Sequence, residues 1–315
     1  MQNEIVTTSQ ALPIDQHPVF VYLAGLSSER SRRVQKQALE AIADLLTGQP
    51  DLMGCDWSAL RFQHTQAIKS KFTETNSPAT ANRMLSALRG TLKSAWLLGQ
   101  MTAEDYHRAA SIQSVTGSTI PAGRELQPGE IAALIATCEN DPGPAGVRDA
   151  AIIALLYSCG LRRAEVTALS LGDYDQESGK MVVDGKRNKQ RTAYLVKGAA
   201  RAMADWLEIR GNDPGPLFWP INKGGTLLPK RMTNQAIYKM LSKRGKQAEV
   251  KDFSPHDFRR TFVSDLLDAG ADIATVAKMA GHASVTTTAR YDRRPEQAKQ
   301  KAAGLLHVPY RGRRG

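Results

Sequence analysis

The segment PHDFRR at 255–260 sets His256 and Arg259 three residues apart, and on a helix those positions project from one face. An imidazole and a guanidinium so placed can touch one phosphate. Taken alone, H-x-x-R is more commonly a solvated helix face with a capping-turn histidine. Further on, AGHASVTTTARYDRR places His282 after a glycine and Tyr291 nine residues later. A helix opening at 283–285 would turn free backbone N–H groups toward an anion beside His282. The plain alternatives are a capping histidine and a half-buried aromatic. Upstream, YSCGLRRAEVTALSLGDYD holds Arg162 and Glu165, with Val166, Leu169 and Leu171 to pin their helix to a core. A guanidinium fork fits two phosphate oxygens, and a neighbouring carboxylate can orient it. An Arg-Arg surface pair with an i,i+3 salt bridge would look the same in isolation.

These residues need a scaffold. KMVVDGKRNKQRTAYLV sets two β-rich runs around a Gly/Asn turn, which predicts a hairpin with a cationic tip of Lys186, Lys189 and Arg191. Such a tip suits a phosphate backbone, and a lysine among cations can deliver a proton. Helices are expected at about 128–139, 146–157, 198–210, 232–247, 256–269, 272–280 and 284–291. Before them, apolar spacing predicts a helix opened by Ser28-Glu29, another over 57–71, and one over 77–98 that starts with Ser77-Pro78 as N-cap and first residue. Between 111 and 128 the pattern fades into Ser, Thr, Gly and Pro. The expected organisation is therefore a helical domain at 1–115, a linker at 116–127 and a second domain at 128–315. The fold class is mainly α with one small antiparallel sheet (α+β).

Charge narrows the partner. The 315 residues carry 42 Lys+Arg against 31 Asp+Glu, a formal +11, and the excess lies after residue 120. Clustered cations release counterions from a phosphate backbone, which makes nucleic acid the first partner to consider. Three cysteines without CxxC spacing imply neither a disulfide framework nor a zinc site. The N-terminal stretch has neither a basic n-region nor an apolar h-region, and nowhere do 18 apolar residues run together. A protein of the reducing cytoplasm, acting on the nucleoid and not on a membrane, is the expectation.

In this order the motifs resemble the tyrosine recombinase (phage integrase) family over about 128–295. That family orders an arginine in G-L-R-x-x-E, a hairpin lysine, H-x-x-R, G-H and a nucleophilic tyrosine, matched here by Arg162, Lys186, His256, Arg259, His282 and Tyr291. Arg163 follows Arg162, and the spacing to Glu165 favours Arg162. The tip reads Gly-Lys-Arg-Asn-Lys where the family often has Gly-Lys-Gly-x-Lys, so Lys186 is preferred and Lys189 is the fallback. The helical N-terminal half resembles, more loosely, the family's core-binding domain through residues 77–99, and the compact length is most like the Xer and integron-integrase type.

The resemblance implies a site-specific recombinase that cuts and rejoins DNA through a 3′-phosphotyrosyl link, with no metal and no other cofactor. Tyr291 would be the nucleophile, Arg162 and Arg259 the phosphate clamp, Lys186 the acid, His256 the base and His282 a phosphate donor. Glu165 would orient its neighbours. Arg83, Arg89 and Lys93 in the first domain, with Lys189 and Arg191 in the second, are candidate DNA contacts. The implied partner is double-stranded DNA with inverted-repeat-type sites, bound by a homotetramer or heterotetramer in which the short helix expected at 295–306 docks on a neighbour. Rival readings are a type IB topoisomerase-like relaxing enzyme, a non-catalytic DNA-binding protein, and a metallohydrolase on His256 and His282. The last lacks HExxH or a carboxylate cluster at ligand spacing.

Overall fold

A computed structural model describes residues 12–117, 123–185, 190–291, 303–305 and 309. The chain divides into two compact units, Met1–Pro121 and Ala122–Gly315.

The first unit is helical: α1 (Pro18–Ala24), α2 (Glu29–Thr47), α3 (Phe62–Thr75), α4 (Pro78–Leu97) and α5 (Ala103–Ala110), with a 3-10 turn at Trp57–Ala59. Ser28 caps α2 by accepting from the Ser31 N–H, and Ser77 caps α4 just before its N1 proline, as the sequence signals predict. Leu85, Leu88 and Leu92, one face of α4, are fully buried with Leu39 and Ile42 of α2. The helix expected at 57–71 is broken: Asp56 caps the 3-10 turn, and α3 starts only at Phe62. Nothing in the periodicity announces α5, which buries a single residue, Ala109. Beyond it the chain runs back along α4, where the Val115 backbone exchanges two hydrogen bonds with the Asn82 amide at 2.8 and 2.9 Å.

The second unit contains α6 (Pro128–Glu139), α7 (Pro144–Ser158), α8 (Arg163–Ala168), β1 (Tyr174–Asp175), β2 (Lys180–Asp184) and β3 (Gln190–Tyr194). There follow α9 (Lys197–Arg210), α10 (Asn234–Gln247), α11 (Pro255–Asp268), α12 (Ile273–Ala280) and α13 (Val285–Ala289). The sheet is antiparallel in the order β1-β2-β3, with Val183 opposite Arg191 and Asp184 opposite Gln190. Fully buried Leu134, Ile152, Leu155, Met181, Trp206 and Phe258 join α6, α7, the sheet, α9 and α11 in one core. No helix among the described residues is long and apolar enough to cross a membrane. All three cysteines are buried and free, and burial pushes the Cys159 thiol up to about 11.

Inside this core lies an ionic network. Arg244, 1% exposed, donates to Asp149 at 2.9 Å and to Asp141 at 2.6 Å, while Arg148 donates to Asp149 at 2.7 Å. Asp149→Ala strips two buried guanidinium groups of their shared counter-ion, so an expected loss of about 3–5 kcal/mol should appear in chemical denaturation of the whole protein.

Residues 123–126 lie within the stretch read as linker, yet they are bound along α11. The Arg124 N–H donates to Asp257, the Leu126 N–H to the Thr261 hydroxyl, and Glu125 accepts from Ser264. Asp257, Thr261 and Ser264 recur at i, i+4 and i+7, so this strap takes one stripe of α11. Gly123 makes the approach possible: its φ is +101°, and a Cβ there would stand 2.3 Å from the Asp257 carboxylate.

Candidate active site

Arg162 is the N-cap of α8, and Glu165 sits at the third helical position, from which its carboxylate reaches back to the Arg162 N–H at 2.8 Å. The same carboxylate accepts from the Arg162 side chain at 2.6 Å. Arg163 turns the other way, 5.7 Å over the Tyr238 ring on α10, which leaves Arg162 to face the site. Burial alone would raise the Glu165 pKa, but Arg191, the Arg162 N–H and the Arg162 side chain together hold it below the usual carboxylate range.

Arg259, one turn into α11, is 2% exposed. It donates to the Gly160 carbonyl at 2.7 Å and to the Ala280 carbonyl. Burial, then Arg162, pulls its pKa down to about 9, which leaves it cationic at neutral pH. Gly281 ends α12 in the left-handed region at φ +64°, and the next residue, His282, closes the turn by donating its N–H to Ala277 at 2.9 Å. Arg162 also donates to the Gly281 carbonyl at 3.3 Å. The G-H motif is thus a helix C-cap held by arginines, with His282 projecting from its exit.

His282 Nδ1 lies 2.8 Å from the hydroxyl of the fully buried Thr288 on α13. Its ring stacks on Tyr291, with centroids 6.4 Å apart and planes 25° apart, and the Arg260 guanidinium lies 5.5 Å from the Tyr291 ring centre. Desolvation, then Arg259 and Arg162, depress the His282 pKa to about 4, and desolvation with Arg259 and Arg260 lowers that of His256 on the first turn of α11. Both rings are neutral at pH 7.

A proton therefore binds the native His282 only near pH 4, against 6.5 for a free histidine. The unfolded chain carries the extra proton between those values, so stability is full above about 6.5 and drains away as pH falls toward 4. The melting temperature of the wild type should drop across that window at constant ionic strength, and less so for His282→Asn.

One residue expected as a DNA contact, Arg191, sits inside the site. Arg191 is no exposed tip residue: its side chain is 11% exposed and both ends of its fork bind Glu165, at 2.7 and 3.0 Å. The strand period carried this signal, since Arg191 and the buried Ala193 share a face of β3. In the first unit Arg83 and Lys93 are exposed, whereas Arg89 is half-buried and donates to the Ile112 carbonyl. Lys186 and Lys189 lie outside the described residues, as does most of the tail helix expected at 295–306. Arg260, whose guanidinium lies over the Tyr291 ring, has no signal in the sequence, because a second arginine after H-x-x-R is indistinguishable from surface charge.

Comparison with known proteins places the chain in a family. The phage integrase family profile matches residues 124–297. Tyrosine recombinase XerC of Alcanivorax borkumensis is 30% identical over 285 residues, covering 87% of this chain and 88% of its own. Tyrosine recombinase XerC of Vibrio parahaemolyticus is 28% identical over 98% of this chain and 100% of its own. Among solved structures, the Tn1549 transposon integrase bound to transposon right-end DNA superposes with a TM-score of 0.68 at 15% identity, over 92% of this chain and 99% of that one. The XerH site-specific recombinase on difH DNA gives 0.62 at 20% identity, over 95% and 91%. With a family match over more than half its length and a relative 30% identical over 87% of it, the chain belongs to the phage integrase family and is an Xer-like tyrosine site-specific recombinase.

Proposed function

We propose that Tyr291 attacks a scissile phosphate of double-stranded DNA, forming a 3′-phosphotyrosyl bond as the bond to the 5′-oxygen breaks. The observation that supports this reading is the convergence of Arg162, Arg259, His282 and Tyr291 on the Gly281 turn. Each guanidinium has five N–H groups. Arg162 spends two on Glu165 and Gly281, and Arg259 two on Gly160 and Ala280, so among the described residues each keeps donors for the non-bridging oxygens. In the transition state those oxygens gain charge, and fixed donors stabilise it without reorganisation.

The tyrosine proton passes to His256, which desolvation and then its cationic neighbours keep unprotonated and available. Thr288, by donating to Nδ1, leaves the His282 Nε2–H free to bond the phosphate, and the incoming anion offsets the arginine field around that ring. Lys186, with Lys189 as the alternative, returns a proton to the leaving 5′-oxygen. The ester bond conserves the energy of the broken one, so the freed 5′-hydroxyl of a partner strand re-forms the diester by the reverse step.

Exposed Arg83 and Lys93 would hold the DNA backbone from the first unit. Paired sites arranged as inverted repeats, bound by four protomers of one or two kinds on the nucleoid, suit an exchange of strands between two duplexes. The test is a denaturing gel in EDTA with nicked duplexes drawn from the DNA that flanks the gene. A Tyr291-linked adduct is expected, its trapped DNA supplying the target sequence, whereas DNA bound tightly without any adduct would sink the reading.

A further inference from the structure

We infer that Arg191 is a positioning residue that keeps Arg162 electrostatically free for the phosphate while locking the turn that carries His282. This rests on the phosphate-clamp role proposed above for Arg162.

Three guanidinium groups meet three consecutive carbonyls at the end of α12. Arg191 Nε donates to Met279 at 3.0 Å, Arg259 donates to Ala280, and Arg162 donates to Gly281. These are carbonyls that a helix C-terminus leaves unpaired, where its dipole favours positive charge. Of the three arginines Arg191 is the one with a bidentate carboxylate partner, through Nη1 and Nη2 to the two Glu165 oxygens. The packing is close enough that a Cβ on Gly281 would lie 3.1 Å from the Arg191 Cδ. One side chain of β3 thereby ties α8, α12 and the hairpin together.

Its electrostatic consequence follows from counting charges. Glu165 is 6% exposed and receives both arginines. If it faced Arg162 alone, a buried carboxylate would neutralise that guanidinium one to one, and an approaching phosphate would have to compete with it. With Arg191 present, two cations share one anion, and Arg162, whose side chain is 36% exposed, keeps net positive charge on its open side. Arg191, 11% exposed, commits all three of its guanidinium nitrogens to Met279 and Glu165.

The experiment compares single-turnover adduct formation by the wild type, Arg191→Met, Arg191→Gln and Arg191→Lys on a prebound nicked duplex, its sequence recovered from wild-type adducts. Each is repeated with the scissile phosphate replaced by an uncharged methylphosphonate, and DNA affinity and melting temperature are recorded alongside. The two neutral variants should cleave the natural diester at least about tenfold more slowly, short of the ~10²–10³-fold cost of a direct donor, with affinity within about threefold. Gln retains a donor for Glu165 should Met fail to fold, and Lys, which keeps the charge, should recover most of the rate. On the methylphosphonate, which needs less positive charge, the deficit should shrink to within about threefold. Wild-type rates in a folded neutral variant, no recovery with Lys, or a deficit of equal size on both substrates would each overturn the role of Arg191. A wild type that forms no Tyr291-dependent adduct overturns instead the chemistry on which it rests.

Discussion

Tyr291→Phe should abolish the covalent protein–DNA adduct and leave DNA affinity within about threefold of wild type, because it deletes the oxygen proposed to attack and almost nothing else. The ring that remains can still stack on His282 and lie under Arg260, contacts that involve the aromatic faces and not the hydroxyl. The Tyr291 backbone keeps its N–H bond to the Thr288 carbonyl at 2.9 Å, so α13 should close as before. The measurement pairs a denaturing gel, which sees only covalent complexes, with a native binding titration, which sees both kinds. Adduct at the wild-type level in this variant would move the nucleophile to another residue, and lost binding would mean the hydroxyl also holds the DNA-bound fold.

Much of this site was legible from local spacing. Arg162 to Glu165 is the distance from a helix N-cap to its third residue, and that geometry delivers the carboxylate to the arginine with no help from the rest of the chain. Gly281 before His282 is equally local: a left-handed C-cap that sets the direction in which the histidine leaves α12. The three-residue step from His256 to Arg259 brought an exposed ring and a buried guanidinium onto neighbouring positions of α11. What the sequence hid were contacts between distant segments. Arg191 reads as one more cation after a lysine-rich turn, and only its meeting with Glu165, 26 residues away, and with Met279, 88 residues away, makes it part of the site. The strap at 124–126 was disguised in the same way. Its composition is that of a loop, and its order comes from side chains of α11 more than 130 residues later. Short α5 escaped because one buried residue gives no period to detect.

Arg259→Ala should reduce cleavage by at least ~10²-fold, and by more than Arg162→Ala does, because the proposed mechanism gives Arg259 two tasks. As a donor to the phosphate its loss is worth about 2.7–4 kcal/mol of transition-state stabilisation, the range for one preorganised donor. As a brace it joins the Gly160 carbonyl, two residues before Arg162, to the Ala280 carbonyl, two before His282. Removing it loosens both neighbours at once and leaves those carbonyls short of a partner in a site where Arg259 itself is 2% exposed. Lysine cannot substitute: an ammonium is a point charge without the planar fork that reaches both carbonyls and still presents N–H groups to an anion. Arg259→Lys should therefore stay within about tenfold of the alanine variant, well below wild type. The effects of Arg162→Ala and Arg259→Ala should also fail to add, since the second mutation acts on a clamp the first has already opened. Single-turnover adduct formation at saturating protein measures all four variants directly. A double variant as slow as the product of the two single losses would separate the arginines into independent donors and remove the brace from the account.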